Sequence, residues 1–356
     1  MIKDGIIIIN KPQNMTSHDV VAIMRRTLGM KKIGHTGTLD PMATGVLPVC
    51  VGKATRIIEY LDLDMKTYRC KLLLGTLTDT QDIWGEVLET RPLVNKSGEP
   101  ITAAMIETAF KDFDGVIDQK PPMYSALKVN GKRLYEYARA GETVEVKTRQ
   151  IFIQDLTIEE ISLEAKTVTF TATCSKGTYI RTICQDVGEI LGCGACMAEL
   201  TRLASGTFTL ERAFTIEEVQ RLAASATGEN ACGSGFAGED AHSAGDVLSA
   251  KGVFLPIEYP LCHFGEVLLD EVNGLRFING WHIGLDECQV LSEPEFAEKD
   301  FCLPIREEYR HAYKMFTMGS DGQRDFLGVA FYNFQYKKLV ADKVICTATE
   351  ILQNKG

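Results

Sequence analysis

Sixteen consecutive residues, Gly34-His35-Thr36-Gly37-Thr38-Leu39-Asp40-Pro41-Met42-Ala43-Thr44-Gly45-Val46-Leu47-Pro48-Val49, follow neither the helical period nor strand alternation. Three glycines and two prolines punctuate them. The stretch therefore predicts a shaped loop, and the rest of the chain must build a scaffold to hold it. Its one carboxylate, Asp40, lies between Leu39 and Pro41, among neighbours that offer backbone N–H groups and few apolar side chains. Two readings fit. Either Asp40 carries chemistry, or it closes an Asp-Pro turn by bonding the backbone two residues on.

The flanking sequence describes the scaffold. Residues 5–10 predict a buried strand, 11–14 a turn, and Ser17 the cap of a helix that runs to Leu28 and is closed by Gly29. Strands are expected over 66–74 and within 151–174, and helices over 101–110 and 180–191, the second ended by Gly192. Strands and helices intermix without a regular βαβ repeat, which gives an α+β fold with a mixed or antiparallel sheet. At 356 residues two domains are expected. The first spans 1–221, a flexible Gly/Ala/Ser-rich linker or insertion covers 222–252, and a small β-rich domain covers 253–356, with strands near 266–269, 326–334 and 337–344.

Composition narrows the setting. The chain is 45% hydrophobic and 24% charged, as a globular protein with a real core is. It has no apolar run of about 18 residues, so no membrane span is expected. Asp4 and Asn10-Lys11-Pro12 interrupt the first apolar run too early for a signal peptide. Eleven cysteines, an odd number, then predict reduced thiols and a cytoplasmic location.

The formal charge of -10 is unevenly spread. Residues 1–210 hold 25 basic and 25 acidic residues, whereas 211–356 hold 13 against 23. Within 120–149 there are seven basic and three acidic residues, a local face compatible with phosphate binding. There Tyr124, Tyr135 and Tyr137 interleave with Lys128, Lys132, Arg133 and Arg139, a mix that suits RNA. A surface helix with solvated lysines explains it as well. Tyr68, in the strand over 66–74, is a core tyrosine or a ring for stacking on a base. Ser175-Lys176-Gly177-Thr178-Tyr179-Ile180-Arg181-Thr182 marks a strand-to-helix passage that can take an anion, with Arg181 able to fork onto a carboxylate. Two motifs fail. Gly52-Lys53-Ala54-Thr55 lacks the earlier glycine and the hydroxyl of a phosphate loop. Cys193-Gly194-Ala195-Cys196 lacks a second ligand pair, so buried thiols are expected there and no metal.

Five segments in order, Asn10-Lys11-Pro12, 34–49, 66–85, 119–141 and 175–208, closely resemble the bacterial tRNA pseudouridine-55 synthases of the TruB family. Leu255-Pro256-Ile257 and Phe326-Leu327-Gly328-Val329-Ala330 are similar to pieces of a small PUA-like RNA-binding barrel. The stretch 222–252 departs from the family pattern. The resemblance implies a pseudouridine synthase catalytic domain followed by that barrel. It makes Asp40 the nucleophile and gives Arg181 to it as an ionic partner. Tyr68 would stack on the base and serve in proton removal. His35 would fill the gap left by a flipped-out uridine or guide it out, Tyr179 and Arg181 would line the pocket, and Leu200 would contact the base. Lys11 is grouped with these substrate-site residues, as the one that orders the first turn and the nearby loop.

The implied reaction detaches uracil from C1′, rotates it and rejoins it through C5. It involves no net redox change and no transferred group, so no cofactor is expected. The implied partner is the T-stem-loop of tRNA, bound by a monomer, with Lys128, Lys132 and Arg133 on its phosphates. A non-catalytic tRNA-folding factor and a synthase acting on another RNA uridine are the competing readings.

Overall fold

The computed structural model describes residues 4–63, 65–227, 248, 251–296, 306–319 and 321–348. Its first strand, β1 (Gly5–Lys11), alternates strictly: Ile6 and Ile8 enter one apolar cluster, Ile7 and Ile9 another, and all four are buried. A strand that is apolar on both faces must be covered on both sides. The elements that follow do this. They are α1 (Ser17–Thr27), β2 (Ile33–His35), β3 (Thr44–Val51), β4 (Lys66–Leu74), the pair β5 (Thr76–Thr78) and β6 (Val87–Thr90), α2 (Ala103–Phe110) and β7 (Gly115–Gln119). Next come the small hairpin β8 (Lys128–Val129) and β9 (Lys132–Arg133), α3 (Leu134–Arg139), β10 (Arg149–Ser162), β11 (Thr167–Cys174), α4 (Ile180–Leu191), β12 (Ala195–Ser205), β13 (Phe208–Thr209) and α5 (Ile216–Thr227).

The main sheet runs β1-β3-β12-β4-β11-β10-β7, with β2 paired to β3 and β13 to β12. Every pairing is antiparallel except β3 with β12. On one face α2 and α4 cover Cys70 and Leu72 of β4 together with Val168 and Phe170 of β11. Beside them, α1 and α5 cover Ile7, Ile9, Leu47 and Val49. This placement of β12 matters most for the site. It lies between β3 and β4, so the loop before β3, Tyr68 of β4 and residues 200–202 of β12 converge from distant parts of the chain.

Several expectations need correction. The stretch 34–49 is a loop only over 36–43, because its ends belong to β2 and β3. Pro48 is tolerated inside β3 because its carbonyl accepts from Thr36 N at 3.2 Å. Its nitrogen faces the same side, so no bond to β1 is lost. Ser17 does not cap α1. Thr16 does, in a capping box with Asp19. The expected linker starts too early, since 222–227 are the last turns of α5. Residues 228–247 and 249–250 lie outside the described residues. Farther on, Leu255 exchanges both backbone bonds with Ile6, at 3.0 and 2.8 Å, so residues 253–255 extend the β1 edge of the first body. Cys193 and Cys196 are buried thiols at the start of β12, and burial pushes Cys196 up to about 12.

The C-terminal body is a six-stranded sheet with order β15-β19-β18-β17-β14-β16. In chain order these are β14 (Gly265–Leu269), helix α6 (Glu271–Ile278), β15 (Ile283–Gly284), β16 (Gln289–Ser292), β17 (Ala312–Met318), β18 (Arg324–Asn333) and β19 (Lys338–Val344). Sequence patterning located β14, β18 and β19 but not β17, which is buried along almost its whole length. Its Lys314 is admitted to that interior by Glu266 at 2.9 Å. The two bodies share one apolar cluster: Ile6, Ile8, Val46 and Cys50 from the first pack with Phe264, Tyr309, Ala312 and Val329 from the second. None of the described helices is long and apolar enough to cross a membrane.

Candidate active site

The loop over 36–43 is held at several points. Ser17 Oγ, freed from capping, accepts from Leu39 N at 2.9 Å and donates to Leu39 O at 3.2 Å. The residue before Asp40 is thus pinned to α1. The residue after it is pinned as well, since Lys11 Nζ donates to Pro41 O at 3.1 Å, to Pro12 O at 2.8 Å and to Met15 O at 2.7 Å. Lys11 is fully buried, and burial lowers its ammonium from 10.5 to about 8. It cannot touch RNA. Its place among substrate-site residues is therefore withdrawn, while its ordering of the first turn and the loop stands as geometry. Where β3 begins, Gly45 has φ +102, and a Cβ there would meet Arg202 O at 2.2 Å. Only glycine fits.

Between these anchors Asp40 projects its carboxylate, 42% exposed, toward Arg181 Nη2 at 3.0 Å. The carboxylate is open to solvent rather than buried. Arg181, at the start of α4, is itself buried. Both Nη ends of its guanidinium are fixed: Nη1 donates to Thr80 O and Nη2 to Tyr124 O, both at 3.0 Å, and Asp82 Oδ2 lies 3.6 Å from Nη1. Asp82 is held in turn by Thr80 Oγ1 at 2.7 Å and by Trp84 N at 3.2 Å. Burial pushes the Asp82 carboxyl up, against the pull of Thr80 and Arg181.

Tyr68 sits on β4 opposite Arg202 of β12, and its ring packs on the core that contains Leu200. Burial pushes its phenol up, the Arg202 charge opposes this, and the Asp40 charge adds to it. Tyr179 precedes α4, and Gln119 grips its backbone with both ends of one amide: Gln119 Oε1 accepts from Tyr179 N at 2.8 Å, and Nε2 donates to Tyr179 O at 3.1 Å. His35, at the end of β2, lies half-buried with its ring edge-to-face on His18, centroids 5.2 Å apart. Burial, then His18, then Arg202 lower its imidazole to about 4. It is neutral at neutral pH and sits where the Asp40 loop begins.

Lys128, Lys132 and Arg133 stand apart from this constellation, on the hairpin β8–β9. Lys128 and Arg133 are exposed. Lys132 lies over the Tyr137 ring at 4.5 Å, and Arg133 Nη1 donates to Tyr135 Oη at 3.0 Å. The solvated-helix reading applies only to α3. The segment reaches the centre through its backbone, because Tyr124 O accepts from Arg181 and Ser125 O accepts from Tyr135 N.

Sequence reasoning passed over Gln119, Asp82 and Arg202 as site residues. For Gln119 no local signal exists, since its partner is sixty positions away. Arg202 had one: it shares the inward face of β12 with Leu200, a charge where alternation calls for an apolar residue.

The chain matches known proteins over most of its length. Residues 25–180 match the TruB family pseudouridylate synthase N-terminal domain, and residues 181–261 match the tRNA pseudouridylate synthase B C-terminal domain. A tRNA pseudouridine synthase B of Geobacillus kaustophilus is 51% identical over 300 residues, covering 83% of this chain and 93% of that one. Its Bacillus subtilis counterpart is 48% identical over 229 residues, covering 64% and 73%. Among solved structures, a Cbf5-Nop10-Gar1 complex has a chain of the same fold, with TM-score 0.67 at 23% identity over 97% of this chain and 86% of that one. With family matches running from residue 25 to residue 261 and a half-identical relative over most of its length, the chain belongs to the TruB family of pseudouridine synthases.

Proposed function

We propose that this chain isomerises uridine to pseudouridine in the T-loop of tRNA with Asp40 as its nucleophile, acting as a cytoplasmic monomer. The observation that carries the assignment is the 3.0 Å ion pair of an open Asp40 carboxylate with a buried Arg181 whose two Nη atoms each donate to a backbone carbonyl. A merely structural Asp-Pro turn needs no such partner. In a site built this way the carboxylate attacks or assists departure of the base, and a fixed guanidinium keeps it aimed. Tyr68 enters as a neutral phenol, which suits stacking on uracil, and it must lose its proton before it can accept another. Tyr179 and Leu200 bound the pocket.

A uridine in a folded loop must be extruded, at a cost of about a few kcal/mol. Stacking on Tyr68 returns about 1–3 kcal/mol of that. His35, uncharged and seated at the loop's start, is the side chain to occupy the vacated stack. Tritium release from 5-³H-uridine in unmodified tRNA transcript tests the assignment. Release by the wild type and none by Asp40→Asn is the expected result. Release by both variants would remove Asp40 from the chemistry. No release by either, with tRNA binding intact, would favour a folding factor.

A further inference from the structure

Among the described residues Arg202 is the largest fully buried side chain, and it is charged. Its Nε donates to Val46 O at 2.6 Å and its Nη2 to Gly37 O at 3.2 Å. These two carbonyls lie on either side of Asp40, one before it in the loop and one just after β3 begins. Among the described residues the third end, Nη1, meets no partner at hydrogen-bond geometry and lies 3.6 Å from where a Cβ of Gly37 would be, while the guanidinium acts on the Tyr68 phenol and opposes the rise that burial causes there. Through β12 the same residue stands opposite Tyr68 and next to the Thr201–Thr44 contact at 2.9 Å. Among the described residues the hydrogen-bond partners of its side chain are these backbone carbonyls and no carboxylate.

Leaving a buried guanidinium unpaired by any acid is costly, and a hydrophobic side chain would fill the space with less penalty. The placement explains why a charge stands there. We propose that Arg202 is a positioning residue for pseudouridine formation, a strut beneath the loop that ties both flanks of Asp40 to the strand facing Tyr68. Arg181 aims the carboxylate from the front, and Arg202 fixes its backbone from behind. Lysine should replace it only in part, because its point-like ammonium cannot offer donors from two separate nitrogens at the fixed spacing of the guanidinium edge. This reading rests on Asp40 being the reacting carboxylate.

Its charge also leaves a signature independent of activity. Burial lowers His35 most, and the groups that add to or oppose it are His18 from α1, Arg202 from β12 and the Gly37 backbone. Removing the cation should raise the His35 imidazole from about 4, whereas keeping a cation at 202 should not.

The experiment compares Arg202→Lys and Arg202→Met with wild type in single-turnover tritium release, in tRNA binding and in an NMR titration of His35. Arg202→Met should lower the chemical rate about a hundredfold, the scale of loss when a reacting group is misplaced by about an ångström. Binding of tRNA should change little, and the His35 titration should move up. Arg202→Lys should recover part of the rate and leave His35 near its wild-type value. Wild-type turnover in Arg202→Met would overturn the proposal. So would a rate and a tRNA affinity that fall together in Arg202→Lys while His35 still titrates as in a folded protein. Asp40→Asn, run alongside, separates the two assignments: if it stays active the nucleophile is wrong, whatever Arg202 does.

Discussion

Lys11, itself fully buried, commits its ammonium to three backbone carbonyls in partly buried bonds. Each carbonyl left buried without a donor costs about 1–3 kcal/mol. Lys11→Met should therefore lower the urea midpoint clearly, whereas Lys128→Met, at an exposed position, should leave it unchanged. Equal midpoints would mean that water replaces the ammonium. His35 makes a pH prediction of definite sign. Its folded value, about 4, lies below its ordinary 6.5, so between these values the unfolded chain binds a proton that the folded chain refuses. Stability then falls as pH drops through that window, by at most about 1.4 kcal/mol per pH unit. Urea unfolding of wild type and His35→Gln at pH 7 and pH 4.5 should show a shallower loss in the variant. An unchanged loss would assign the acid limb to other groups. At this scale the sequence made legible charged residues set in loop or helix-start segments, such as Asp40 and Arg181, which the fold brings together at 3.0 Å. It did not expose Gln119, whose role arises only when β7 is brought beside α4.

Elements with a strong period were legible, and those defined by a few residues were not. Helix α4 could be read to its last turn because apolar residues at 180, 183, 184, 187 and 191 form one stripe and Gly192, with φ +89, ends it. The hairpin β8–β9 was hidden inside a stretch read for its aromatic and basic mix. Its signal was nevertheless present, since Asn130-Gly131 adopt φ +51 and +83, the pair of left-handed residues that a two-residue hairpin turn demands. That turn presents Lys128, Lys132 and Arg133 on a short rigid ribbon, and its root joins the chain that holds Arg181. Such a ribbon suits phosphate binding better than base readout. Replacing the three cations by glutamine should weaken tRNA binding. It should also flatten the slope of log K against log salt by about 0.7–0.9 for each phosphate that is no longer neutralised. An unchanged slope would place the RNA backbone on another face.

At the scale of the whole chain, the acidic balance of residues 211–356 marks the second body as different from the first, yet packing joins them. Ile6 and Ile8, the most legible strand residues in the sequence, have their outer face covered by Phe264, Tyr309 and Val329 of the C-terminal part. Glu59 adds ion pairs to Lys343 at 2.8 Å and to Arg306 at 3.7 Å. No sequence pattern could have shown this seam, because a strand apolar on both faces does not say what covers either one. Two bodies that share a core cluster should unfold together, since losing one exposes apolar surface of the other at about 25 cal/mol per Å². The chain supplies its own reporters, for its two tryptophans fall one in each body, Trp84 beside Asp82 and Trp281 after α6. In Trp84→Phe the fluorescence reports the C-terminal body, and in Trp281→Phe it reports the catalytic one. Both variants should give one coincident urea midpoint, and Val329→Ala, which opens a cavity in the shared cluster, should lower both midpoints together. If Val329→Ala moves only the Trp281 signal, the seam is a contact between independent domains and β1 is stable without its cover.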